Sequence, residues 1–223
     1  MTFGSHSDPH SGVLLLVRHG ESDGNARNIF TGLLDLPLTP RGRQEAMNTA
    51  AILRQSIINP DIVFSSVLRR AHETARIIVN AFAGDIPLVS TPALNERDYG
   101  VLTGRRKDFP IPGVDADQVW LWRRSFTGRP TDGESLEDTE LRVSAYYDRV
   151  IAPQLIDGRT VLIVAHGNSL RALIRKLAHL TPSQIEDLEI GTGEIIGFVT
   201  SHGAVTDRLT DIDPTERSRT FTL

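Results

Sequence analysis

Val13-Leu14-Leu15-Leu16-Val17-Arg18-His19-Gly20-Glu21-Ser22 is an apolar run of five residues that breaks into a charged, glycine-containing turn. Val161-Leu162-Ile163-Val164-Ala165-His166-Gly167-Asn168-Ser169-Leu170 repeats that arrangement, its histidine 147 residues further on. Short, wholly apolar runs are typical of strands buried on both faces of a parallel sheet. In such sheets functional groups collect beyond the carboxyl ends of the strands. If these two strands are neighbours, His19 and His166 face one another at one sheet edge.

Working outward, strands alternate with helices. Thr39-Pro40 predicts a helix start, Thr as cap and Pro at the first helical position, with Ala46, Ala50, Leu53 and Ile57 on one face. Ile62–Phe64 reads as a strand. Ser65 or Ser66 is expected to cap a helix running to about Phe82. Ile86–Val89 reads as a third strand. Residues 90–132, with Pro92, Gly100, Gly104, Pro110, Pro112, Gly113 and Pro130, are too irregular and long for a passive connection. They read as an inserted cap with a short helix around Asp117–Arg124. Ser135 with Asp138 predicts a capping box for a helix with Leu136, Thr139, Val143, Tyr146 and Val150 inward. Thr160–Ala165 is the fourth strand, followed by a helix with Leu170, Leu173, Ile174 and Leu177. Thr181 with Gln184 is a second capping box, and Ile195–Thr200 a fifth strand. The alternation predicts a three-layer α/β/α fold with a mainly parallel sheet and an inserted cap segment. It reads as one domain over 13–223, preceded by a disordered polar leader, 1–12, that has no signal-peptide pattern.

The 223 residues contain 39% hydrophobic and 23% charged residues, no cysteine, and a formal net charge of −4. The acidic balance argues against a nucleic-acid surface, and no apolar run approaches the length of a membrane helix. Without cysteine there is no thiolate nucleophile and no Cys-based zinc site. A cytoplasmic setting fits.

His19 could serve as nucleophile, general base or metal ligand. His72-Glu73 opens like a zinc-protease helix, but position 76 is Arg, so the motif fails. Arg18 beside His19 repels a cation and favours an anion, and its planar fork suits phosphate. Neither a Walker A loop nor a G-x-G-x-x-G turn is present. A histidine among arginines points to covalent phosphoryl transfer through nitrogen, with guanidinium groups neutralising the transferring oxygens; no metal is required. Arg69 and Arg70 open a helix, where cations oppose the dipole, so an anion there would compensate.

Leu15-Leu16-Val17-Arg18-His19-Gly20-Glu21-Ser22 resembles the Arg-His-Gly signature of the histidine phosphatase superfamily. Further segments resemble, more specifically, the cofactor-dependent phosphoglycerate mutase family in its short bacterial form. They are Phe30-Thr31-Gly32, Ser65 to Ala71, Leu94 to Gly100, Trp122-Arg123-Arg124, Gly133 to Leu136 and Ala165 to Arg171. The match runs in order from about 13 to 200. The resemblance implies interconversion of 3- and 2-phosphoglycerate, an isomerase step of glycolysis and gluconeogenesis, with 2,3-bisphosphoglycerate priming a phosphohistidine. It implies His19 as the phosphorylated nucleophile, and Arg18, Arg70 and His166 as the groups that hold the transferring phosphoryl. Glu96 would be the acid/base for the substrate hydroxyl. Gly20, Glu21, Ser22, Asp23, Gly24, Asn25, Thr31, Gly32, Gly167 and Asn168 would form the phosphate and substrate shell. Arg97, Asp98, Tyr99, Lys107, Arg123 and Arg124 would take the substrate's carboxylate and second phosphate. Members of that family commonly pair as homodimers, and nothing in the sequence fixes an interface.

The sequence departs from the usual pattern at Asp23-Gly24, Leu33-Leu34, Arg105-Arg106 and 109–113, all around the expected entrance. Two rival readings stand beside this one. A phosphomonoesterase of the same superfamily would share His19, Arg18, Arg70 and His166; Lys107 with Arg123-Arg124 speaks against it. A non-catalytic phosphate-binding protein would not need both His19 and Glu96.

Overall fold

The computed structural model describes residues 10–108 and 110–209. The leader's first nine residues, Phe109 and the chain from 210 onward lie outside the described residues. Six strands form one sheet: β1 (Ser11–Arg18), β2 (Ile62–Ser66), β3 (Leu88–Thr91), β4 (Thr160–Ala165), β5 (Ile195–Ser201) and β6 (Ala204–Leu209). Their order is β3-β2-β4-β1-β5-β6. The first four in that order run parallel, and β5 and β6 are antiparallel additions. The sheet is therefore mainly parallel and mixed.

Strand alternation divides the core. Leu14 and Leu16 of β1 face α5 (Leu136–Tyr146), α6 (Ala152–Ile156), α7 (Gly167–Leu177) and α8 (Pro182–Asp187), where Val143, Leu155, Leu173 and Ile185 close the layer. Leu15 and Val17 face α2 (Pro40–Gln55) and α3 (Arg69–Val79), packing with Ala50, Leu53, Ala75 and Ile78. This gives three layers. A third cluster of Phe30, Tyr99, Leu102 and Ile111, flanked by Trp122, supports the irregular segment and its helix α4 (Ala116–Arg124). Among the described residues no helix is long and apolar enough to cross a membrane.

The caps follow the sequence closely. Thr39 Oγ1 accepts from Gly42 N at 3.0 Å, with Pro40 in the first turn of α2. Ser135 and Asp138 exchange side-chain-to-backbone bonds at 3.0 and 2.8 Å. Thr181 and Gln184 do the same at the start of α8. A four-residue helix, α1 (Asp23–Ala26), starts at a reciprocal Ser22–Asn25 cap.

Several expectations need correction. Ile57, expected on the inward face of α2, lies beyond the end of that helix in the left-handed region and is 84% exposed. Strand β1 starts at Ser11, inside the expected leader, because Gly12 pairs with Thr200. Helix α3 has no serine cap and ends at Val79. Ser66 Oγ instead accepts from Leu68 N, and the Asp35 carboxylate from another loop takes Arg69 N at 2.6 Å. That anion offsets the dipole conflict at the arginine-rich helix start. Strand β3 lies two residues later than expected, set by the pairing Val63↔Leu88. The helix from Leu136 passes through a π turn at Tyr147–Ile151 before α6, where Pro153 lacks the N–H an α-helix would use. Strand β6 went unread because Asp207 and Arg208 make it polar, as edge strands often are.

The turn after β1 and the first turn of α2 touch backbone to backbone. A Cβ on Gly20 would lie 2.1 Å from the Gly42 carbonyl oxygen, and one on Gly42 would lie 2.0 Å from the Glu21 oxygen. Gly42→Ala would ordinarily favour a helix by up to about 1 kcal/mol. Here it is expected to destabilise the fold by about 1–3 kcal/mol through overpacking. A lower urea midpoint at unchanged slope is the expected reading, and an unchanged or raised midpoint contradicts the contact.

Candidate active site

The β1/β4 register pairs Arg18 with Ala165, and His19 N donates to Ala165 O at 3.0 Å. Both histidines therefore leave the sheet side by side, with ring centroids 4.9 Å apart. Both are fully or almost fully buried. His19 Nδ1 lies 2.6 Å from Gly20 O, and Arg70 Nε donates toward His19 Nε2 at 3.3 Å. A carbonyl only accepts, so Nδ1 carries the proton and Nε2 keeps its lone pair. Burial first, then the charges of Arg70 and Arg18, hold His19 well below the usual imidazole range, against the opposing bond to Gly20. His166 is held down by burial, then Arg70, His19 and Arg18. Neither ring nitrogen of His166 has a partner among the described residues.

Arg70 is fully buried on the first turn of α3. Its terminal nitrogens donate to Leu34 O at 2.7 Å and Gly32 O at 2.9 Å, which holds the guanidinium against His19. Arg18 donates to Ile190 O, while its buried Nε has no partner among the described residues. Two guanidinium groups thus converge on an imidazole that resists protonation. An anion at this point would satisfy all of them.

Glu96, 7% exposed, enters from the irregular segment. Its Oε1 accepts from Arg97 N at 2.9 Å and Asn168 N at 3.1 Å. Asn168 Nδ2 in turn donates to Tyr99 OH at 2.9 Å. The first turn of α7 and the Glu96 loop are therefore tied together. Arg142 clamps that loop from beneath: it donates to Ala93 O at 2.9 Å and Asn95 O at 3.2 Å, and pairs with Glu134 at 2.9 Å.

A cleft open to solvent lies over His19. Of the expected residues, Arg18, His19, Asn25, Thr31, Glu96, Tyr99, Lys107, Arg123, Arg124, Gly167 and Asn168 line it. Burial pulls Lys107 below its ordinary value, with Arg123 and Arg18 adding to the effect and Tyr99 and Glu96 opposing it. Its ammonium sits 5.8 Å from the Phe30 ring centre. Arg70 and His166 stand behind the lining, against His19.

The remaining expected residues lie outside the lining. Gly20 and Gly24 permit close approach, Gly24 to the Thr31 methyl. Ser22 and Asp23 belong to the start of α1, and Glu21 accepts from Thr39 Oγ1 at 2.8 Å. Gly32 offers its carbonyl to Arg70. Asp98 accepts from Gly100 N at 2.9 Å. Arg97 is fully buried 4.7 Å from the Tyr99 ring centre and donates to Arg123 O, at the end of α4.

Sequence reasoning assigned no role to Arg171, Glu189 or Arg142. Arg171 and Glu189 line the cleft. Arg171 donates to Asn168 Oδ1 at 3.0 Å, and burial pulls it down to about 10. Its place one turn beyond Asn168 was the available signal. Glu189 lies in a segment with no distinguishing pattern, and Arg142 on a helix whose cap and apolar face are legible but say nothing of this residue.

The family model of the histidine phosphatase superfamily (branch 1) matches residues 14–211. The chain belongs to the histidine phosphatase superfamily. A relative from Cytophaga hutchinsonii is 48% identical over 81% of this chain and 84% of its own. One from Bartonella henselae is 43% identical over 91% and 98%. Both are named 2,3-bisphosphoglycerate-dependent phosphoglycerate mutase. The crystal structure of the α-ribazole phosphatase from Shigella flexneri superposes with a TM-score of 0.76 at 25% identity, covering 92% of this chain and all of that one.

The neutral imidazoles make this superfamily member's stability depend on pH. Unfolded, each ring takes a proton near pH 6.5; folded, His19 and His166 resist it. The unfolded chain binds more protons below that pH, so stability is full above it and falls as pH drops through it. The loss between pH 7.5 and 5.5 is expected to be on the order of 1 kcal/mol per imidazole. Urea unfolding across that range should show a shallower dependence in His166→Gln than in the wild type. Equal slopes contradict a neutral His166.

Proposed function

We propose that the chain interconverts 3-phosphoglycerate and 2-phosphoglycerate through a phosphohistidine at His19, with 2,3-bisphosphoglycerate as primer. The observation that carries this reading is one cleft holding a neutral, Nε2-available His19 beside Arg18 and Arg70, together with Lys107, Arg123 and Arg124. A phosphatase needs only one anion pocket, whereas a phosphorylated carboxylic acid presents two anionic groups. The names of the two relatives support the same substrate.

The buried nitrogens of Arg18 and His166 that have no partner among the described residues fit a phosphoryl group, and the second set of cations fits a further phosphate and a carboxylate. His19 is loaded from 2,3-bisphosphoglycerate, which supplies the phosphoryl group when bound. In loading, a bond forms between His19 Nε2 and phosphorus while the phosphorus–oxygen ester bond breaks, and the leaving oxygen takes a proton from the Glu96 carboxyl. In the return step the Glu96 carboxylate accepts the proton of the substrate hydroxyl as its oxygen attacks phosphorus. The nitrogen–phosphorus bond breaks and Nε2 regains its lone pair. Oε1 of Glu96 is occupied by two backbone N–H groups, which leaves Oε2 for the proton. Arg18 and Arg70 neutralise charge on the equatorial oxygens, and the neutral His166 ring donates a hydrogen bond to them. Segment 90–132 acts as the cap that excludes water, which would otherwise hydrolyse the phosphohistidine. The setting is cytoplasmic.

Hydrolysis is the second reading, favoured by the phosphatase name of the structure superposed above. A coupled assay on 3-phosphoglycerate with and without 2,3-bisphosphoglycerate separates the two. Primer-dependent mutase turnover well above phosphate release is expected, and release alone would reverse the assignment.

Incubation with 2,3-bisphosphoglycerate should place an acid-labile phosphate on His19, seen by mass spectrometry and absent in His19→Ala. A label that persists in the variant would remove the nucleophile assignment. Glu96→Gln should lower kcat by about 10²–10⁴-fold with KM changed only a few-fold, since proton transfer alone is lost. Full turnover in that variant is the result that would falsify its role.

A further inference from the structure

The cleft holds a carboxylate that the phosphoryl-transfer chemistry does not use. Glu189 lies on the segment between α8 and β5 and lines the same cleft as Lys107, Arg123 and Arg124. It forms a hydrogen-bonded ion pair with Arg124. Arg124 follows Arg123 at the end of α4, and the Arg123 carbonyl accepts from Arg97. The segment carrying Glu189 is fixed rather than loose: Ile190 O accepts from Arg18, Arg18 N donates to Glu194 O, and Gly193 N donates to Arg18 O. The same short stretch therefore holds the arginine beside the nucleophile through its backbone and Arg124 through its side chain.

We propose that Glu189 is a specificity-determining residue: a resident carboxylate that holds the Arg124 guanidinium in the free chain and exchanges with the carboxylate of the incoming substrate. This rests on the reading of Arg123 and Arg124 as the pair that takes the substrate's carboxylate. The geometry has three consequences. Arg124 is held in place before substrate arrives, by a group of the same chemistry as the one that replaces it. Binding trades one carboxylate–guanidinium pair for another, so Arg124 selects for a carboxylate more than it adds affinity. Release is eased because Glu189 recloses on Arg124 as the product leaves.

Burial pushes the Glu189 carboxyl upward, but Arg124, Arg171 and Arg123 outweigh it and hold it below the usual range. The group is thus an anion at neutral pH, able to compete with another anion. Its side chain is 48% exposed, so exchange requires no opening of the core, and the effect is of the size of a partly screened ion pair.

Calorimetric titration tests this with 3-phosphoglycerate and with glycerol 3-phosphate, which has an alcohol in place of the carboxylate. Glu189→Gln is expected to tighten 3-phosphoglycerate by roughly three- to tenfold and glycerol 3-phosphate by less than about twofold. Unchanged or weaker 3-phosphoglycerate binding in the variant overturns the exchange. Equal tightening of both ligands also overturns it, since that would mean only a change in the general charge of the cleft. If the unsubstituted chain binds neither ligand, the mutase reading fails and this role fails with it. Binding by the unsubstituted chain with no gain in the variant sinks the Glu189 role alone.

Discussion

Everything at this site depends on one short hydrogen bond, from His19 Nδ1 to the carbonyl of the next residue, Gly20, at 2.6 Å. It decides which ring nitrogen carries the proton and aims the other at the cleft. The carbonyl can be there only because the turn bearing it lies against α2 without an intervening side chain, Gly20 on Gly42. Gly20 N also donates to Thr74 Oγ1 at 3.1 Å, which ties the turn to α3. Arg70 comes from that same helix. The positions of His19 and Arg70 are therefore set together, by the contacts this one turn makes with α2 and with α3.

The second constraint is electrostatic. Arg18, Arg70 and two imidazoles occupy one buried volume, which would be costly if all were charged. The chain lowers that cost in two ways. Both imidazoles stay neutral, and the Arg70 fork is spread over the carbonyls of Gly32 and Leu34. What remains without a partner among the described residues, Arg18 Nε and the His166 ring nitrogens, belongs to the two residues whose side chains adjoin the His19 ring. Such prepaid polarity, in the sense of dipoles oriented before the ligand arrives, favours a transition state that spreads negative charge over three oxygens.

The fold was legible wherever one local signal sufficed. The apolar runs at 13–17 and 160–165, and the caps at Thr39, Ser135 and Thr181, needed nothing beyond neighbouring residues, and the structure follows them. The start of α3 was misread because its cap comes from Asp35, 34 residues away, and β6 because an edge strand needs no apolar pattern. The cleft shows the same division. His19, His166 and Glu96 sit in motifs that announce chemistry. Arg142 and Glu189 act through partners far along the chain, at Ala93 and Asn95 and at Arg124, and no spacing rule connects them. Arg97 shows the converse: its motif suggested ligand contact, yet it lies buried between Tyr99 and the end of α4.

The two halves of the cleft are built differently, and this bears on how one scaffold serves several substrates. The groups that would carry phosphoryl transfer, His19, His166, Arg18 and Arg70, stand on strand ends and a helix start locked into the three-layer core. Lys107, Arg123 and Arg124 stand on the irregular segment, whose own apolar support is the small cluster around Phe30, Tyr99 and Leu102. Changes there would alter the cationic wall of the cleft without disturbing the packing around His19. Glu96 bridges the halves: it sits on the irregular segment, yet its carboxylate is bonded to Asn168 N at the start of α7, and its loop is clamped by Arg142 of α5. The stretch from Ala93 to Tyr99 is thus bonded to α5 and α7, which fixes Glu96 relative to His19, while Lys107, Arg123 and Arg124 stand further out along the segment.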